Sequence, residues 1–72
     1  ENGGVKMNDA KNRVFEEARV LEEKLLKLSL FTEHNPNFHR LSKPSRKLLQ
    51  KQEKYMKKYL SVLKKRLKVW ED

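Results

Sequence analysis

The run LLQKQEKYMKKYLSVLKKRLKVW, residues 48–70, decides the fold. Its apolar residues recur three and four positions apart, the spacing that lines one side of an α-helix. Leu49, Met56, Leu60, Leu63, Leu67 and Trp70 form one such row, and it is wholly apolar. A second row lies beside it: Leu48, Gln52, Tyr55, Tyr59, Val62, Arg66 and Val69. The first row suits packing against another helix of the same chain. The second mixes aromatics with Gln52 and Arg66, which suits a contact between subunits, buried but polar in places. Leu48, Gln52, Tyr55, Tyr59 and Val62 are therefore the candidate interface residues.

Upstream of this run, Ser42 is a good N-cap and Pro44 is tolerated in a first helical turn, so the helix is expected over about 43–70. The preceding stretch TEHNPNFHRLS, residues 32–42, reads as the loop, because Pro36 disfavours helix at Asn35. Phe38 and Leu41 are its apolar members and are expected to tuck it against the helices. Before it, Val14, Ala18, Leu21, Leu25 and Leu28 keep the heptad spacing of a seam. With Asn8 or Asp9 as N-cap, this predicts a helix over about 9–30. Residues 1–8 hold both glycines and read as a flexible or short-helical leader before a single helical domain over 9–72. The predicted fold is all-α, an antiparallel helical hairpin. Two helices cannot cover both rows of the second one, so a homo-oligomer is expected.

Composition narrows the function classes. The chain has 72 residues, 36% of them hydrophobic and 39% charged, and no cysteine. That is one small domain, with disulfide and thiolate chemistry excluded. No apolar stretch approaches the roughly 18 residues a spanning helix requires, and none reads as a signal peptide. The net charge is +8, unevenly spread. Residues 1–38 carry six basic and seven acidic groups, whereas residues 39–72 carry twelve basic and three acidic. A basic helix is a solvated face in the simplest reading, and otherwise a surface for an anionic partner. A DNA-reading helix-turn-helix would require a short turn and a third helix, so duplex DNA is not expected. A membrane-surface helix would show one wide apolar face, and Gln52 and Arg66 interrupt it here.

No catalytic constellation is present. His34 and His39 lie five apart beside Glu33, and solvated loop histidines are the simpler reading than a metal site. Ser42, Ser45 and Ser61 have no paired base nearby in sequence. The chain reads as a non-enzyme, without cofactor or metal. Two cations stand out as candidate ligand-binding residues. Arg66 sits in a seam position between Val62 and Val69, where a buried guanidinium would require an anion. Its alternative is an end-of-helix arginine reaching solvent. Lys24 flanks the seam between Leu21 and Leu25, either covering it with its methylenes or meeting a phosphate at a subunit junction.

Residues 13–67 also carry a joint pattern: Arg13–Val14, Leu21 with Lys24, Leu28 with Phe31, Phe38 with Leu41, Leu48–Leu49, Gln52, Met56 with Tyr59, and Leu63 with Arg66–Leu67. This resembles the phage type 2 anti-CBASS proteins, small sponges that counter cyclic-oligonucleotide-based antiphage signalling in bacteria. The resemblance implies a compact helical protomer assembled into a hexamer in the cytoplasm of the infected host. It implies sequestration, without cleavage, of cyclic dinucleotides such as cyclic GMP-AMP, and of cyclic trinucleotides in separate pockets on the symmetry axes. Lys24 would match the lysine that meets a dinucleotide phosphate, and Arg66 the arginine of the trinucleotide pocket. The chain departs from the pattern at Asp9 and Ala10, where the family often has a base-stacking aromatic, and at Leu26, where it has a threonine. The rival reading is a basic helical oligomer that binds nucleic acid or a partner protein.

Overall fold

The computed structural model describes residues 2–70, with side chains over 9–70. Two long helices run antiparallel, α1 (Asn2–His34) and α2 (Lys43–Lys68), with no strand among the described residues. The result is a rod, 55 × 15 × 15 Å.

Each boundary has a local cause. α1 continues four residues past the expected Leu30, to His34. It stops where Pro36 forces Asn35 out of helical geometry, at φ −91° and ψ 122°. At its other end the helical backbone begins at Asn2, so most of the stretch read as a leader lies in α1; the side chains of residues 1–8 lie outside those described. The connection is more ordered than a plain loop. Pro36–Arg40 form a 3₁₀ turn, capped by the Asn35 side chain, which accepts from the Asn37 N–H at 2.9 Å. Phe38 is buried and meets Phe31 edge to face, with ring centroids 6.0 Å apart. Ser42 caps α2 as expected, its hydroxyl accepting from the Ser45 N–H at 3.3 Å, with Pro44 in the first turn. Arg46 reaches back from α2 and donates to the carbonyl oxygens of Leu41 and, at 3.3 Å, His39, which ties the turn to the helix.

The core is one seam. Val14, Ala18, Leu60 and Leu63 are buried, and Leu21, Leu25, Leu67 and Trp70 pack against them. These come from the α1 seam and from the apolar row of α2 read in the sequence. Leu63 is the most deeply enclosed, 1% exposed. The seam changes character toward the turn. Glu53 occupies the α2 position between Leu49 and Met56, and it is buried at 7% exposure. Its carboxylate accepts from Ser29 Oγ at 2.6 Å and from Thr32 Oγ1 at 2.9 Å, both on α1. Lys57, one turn along α2, lies 3.6 Å away. These partners hold the Glu53 carboxyl below its ordinary range, the Ser29 hydrogen bond chiefly, against burial, which pushes the other way.

Candidate ligand-binding grooves

The second row of α2 faces outward in the single chain. Leu48, Tyr55, Tyr59 and Val62 are exposed, as are Gln52, Arg66 and Val69. Phe15, Leu26 and Leu30 add exposed apolar surface on α1. Lysines edge the α2 row: the Lys58 ammonium stands 5.9 Å from the Tyr55 ring centroid.

Two grooves flank the seam. Positions 59 and 61 project about 100° to either side of Leu60, so the Tyr59 flank and the Ser61 flank face opposite ways. On the Tyr59 flank, Lys24, Arg13, Val20, Leu21 and Tyr59 line a groove of about 490 Å³. Lys24 thus keeps company with a second cation, Arg13, and with an aromatic ring from α2. The sequence singled out Lys24 and Tyr59 for different roles, and the fold sets them in one groove. Glu16 and Glu17 line the same groove, so its charge is mixed. Arg19 binds Glu16 from along the helix, its Nε donating at 2.9 Å, and this hydrogen bond lowers the Glu16 pKa and keeps that carboxylate charged.

On the Ser61 flank, Leu25 and Leu60 floor a groove of about 320 Å³. Lys57, Lys64, Lys65 and Lys68 stand around it with Ser61. Glu22 crosses from α1 to Lys64 at 3.3 Å. Sequence reading recorded this basic charge only as a total for the C-terminal half. The signal for the groove was the 4-3-4 spacing of residues 57, 61, 64 and 68, beside the apolar row.

Arg66 lines neither groove; it is exposed in the last turn of α2, with no ion pair among the described residues. His34 and His39 are exposed beside the turn, where His39 packs edge to face on Phe38 with centroids 5.6 Å apart. Among the described residues no group of three or more His, Cys, Asp or Glu gathers to hold a metal, and no helix is long and apolar enough to cross a membrane.

The Sequestin family model matches residues 8–69, nearly the whole hairpin from before the α1 seam to the end of α2. The chain belongs to the Sequestin family. That match covers every element of the pattern over residues 13–67 on which the resemblance to the anti-CBASS sponges was drawn. No curated protein and no solved structure matches the chain. In it both grooves, the outward row of α2 and Arg66 all fall within the matched residues.

Proposed function

We propose that this sequestin is a non-catalytic phage sponge, acting in the cytoplasm of the infected bacterium. It binds cyclic di- and trinucleotide second messengers and so blocks CBASS immunity. The family match over residues 8–69 carries this reading, because the family's name denotes sequestration. Two features of the hairpin support it. Arg13 and Lys24 share a groove with an aromatic ring, a combination that meets phosphate with charge and a base with a flat surface. The outward row through Leu48, Gln52, Tyr55, Tyr59 and Val62 provides a face on which copies of the chain assemble, as a hexamer in this reading. Pockets form between subunits. Lys24 meets the phosphate of a dinucleotide, and copies of Arg66 converge on a trinucleotide.

The test is thermal stability with added ligand. A ligand at 100 times its dissociation constant adds about 2.7 kcal/mol per site. Cyclic di- or trinucleotides should raise the melting temperature. If only duplex DNA does so, with a steep salt dependence, the basic oligomer that binds nucleic acid is the correct reading, favoured by the excess of nine positive charges over residues 39–72.

A further inference from the structure

Of the two grooves that flank the seam, the more cationic is not the one that holds Lys24. It lies on the opposite flank of α2, and it is away from Arg66, which belongs to the Tyr59 side of the helix. We propose that this groove, floored by Leu25 and Leu60 and ringed by Lys57, Lys64, Lys65 and Lys68, is a second anion site. Its ligand class is an organic phosphate monoester with a planar or apolar body. This inference does not rest on the sponge reading and stands or falls without it.

Charge sets the head group. Four ammonium groups surround the groove, and two of them already have carboxylates: Lys57 has Glu53 at 3.6 Å and Lys64 has Glu22 at 3.3 Å. Lys65 and Lys68 have no ion pair among the described residues. The local excess is two positive charges, which a dianion matches. A phosphate monoester carries about two negative charges at neutral pH, its second pKa being about 6. A diester phosphate carries only one, so a cyclic dinucleotide reaches two only by spreading them over two separate phosphates rather than gathering them on one head group. The Tyr59 flank offers less: Glu17 offsets one of its two cations, Arg13 and Lys24, while Glu16 is already held by Arg19. Lysines also suit the task in another way: each is a compact point charge that can follow a phosphate without a fixed planar geometry. Ser61, one turn before Lys65 on the same helix, adds a hydroxyl able to donate to a phosphate oxygen.

Shape sets the body of the ligand. A volume of about 320 Å³ sits at the small end of ligand sites. Leu25 is partly buried and Leu60 buried, so the floor is apolar and fixed by the core seam. Inorganic phosphate leaves such a floor wet, whereas a ring attached to the phosphate covers it and adds the free energy of apolar burial.

The test is titration calorimetry on the full chain at low salt. The probes are phenyl phosphate, inorganic phosphate and diphenyl phosphate, which is a monoanion. Phenyl phosphate should bind, at least fivefold tighter than either of the others. The double change Lys65→Gln/Lys68→Gln alters only exposed side chains and should weaken phenyl phosphate at least tenfold. Lys24→Gln, on the other flank, should leave its affinity within twofold. Circular dichroism of each variant confirms the helical hairpin. Absence of phenyl phosphate binding, equal affinity for inorganic phosphate or for the diester, or an equal loss in Lys24→Gln would each overturn the assignment.

Discussion

Ser29 on α1 donates its hydroxyl proton to the buried carboxylate of Glu53 on α2, at 2.6 Å across 24 positions of sequence. Thr32 completes the pair of α1 donors at 2.9 Å. In a seam otherwise built from apolar side chains, this contact is satisfied only when these positions of the two helices face each other. A shift of one helix by a turn would leave a buried carboxylate without donors, which is costly. The Glu53 contact therefore favours this register of the hairpin, together with the Phe31–Phe38 packing and the Arg46 hydrogen bonds at the turn.

The pH dependence follows from the lowered pKa of Glu53. A carboxyl whose folded pKa lies below its unfolded value adds stability above the unfolded value and loses it as pH falls through the folded one. With 4.5 as the ordinary value, the loss should begin near that pH and grow below it. Glu53→Gln removes the charge and keeps the shape. It should cost up to about 1.5–3 kcal/mol at pH 7, the scale of a hydrogen bond to a charged group. Thermal melts of both proteins between neutral pH and pH 3 should show the gap closing on the acid side. A constant gap would mean the charge plays no part.

Leu63 is the most enclosed side chain of the seam, so Leu63→Ala should destabilise the hairpin by about 2–5 kcal/mol through lost burial and a cavity. Val62→Ala, one residue earlier and exposed in the single chain, should cost the protomer far less. Chemical denaturation of the two variants, under conditions that dissociate any assembly, gives the comparison.

In the proposed assembly through the outward row of α2, Tyr59 is the sensitive position. Sedimentation of the native protein should reveal a species well above the 8.7 kDa of one chain, with six copies as the expected number. Tyr59→Glu places a charge in the contact and should dissociate it. In a single chain Tyr59 is 45% exposed, so the variant should retain its helical content. A native protein that sediments as a monomer at micromolar concentration would remove the assembly reading.

Arg66 and Lys24 should separate the two ligand classes. Each charge-assisted hydrogen bond contributes roughly 1.5–3 kcal/mol, so removing three symmetry copies with Arg66→Ala should reduce cyclic trinucleotide binding by orders of magnitude, short of full additivity. Arg66→Lys should rescue poorly, since lysine lacks the planar fork. Lys24→Ala should weaken cyclic dinucleotides and spare trinucleotides. Calorimetry of each variant with both ligands decides the matter, and native trinucleotide affinity in Arg66→Ala would reduce Arg66 to a solvated helix-end residue.

The proposed sequestration leaves the ligand unchanged. Cyclic nucleotides incubated with the protein and freed by heating should be recovered intact by liquid chromatography. Linear products that accumulate with time would overturn the non-catalytic reading.

The helices, their partnership and the break between them were legible in the sequence because each has a local cause. Heptad spacing wrote the seam residues Val14, Ala18, Leu60 and Leu63, the Pro36 ring ended α1, and the Ser42 hydroxyl started α2. The pattern over residues 13–67 also carried the family. The C-terminal end of α1 was less legible, because what accompanies its extension to His34 is tertiary: Phe31 packs on Phe38 and Thr32 donates to Glu53. What only the tertiary structure decided is what crosses between the helices. Glu53 stands at the seam position between Leu49 and Met56, so spacing puts it on the core face, but nothing local shows how a charge is accommodated there. Its partners Ser29 and Thr32 come from α1, and only the antiparallel register brings them to it. The grooves have the same origin: Lys24 meets Tyr59 on one flank, and Leu25 meets Lys64 and Lys65 on the other. Periodicity assigns each residue a face on its own helix, but the rotation and offset of one helix against the other are set by packing, and they determine which faces become a site.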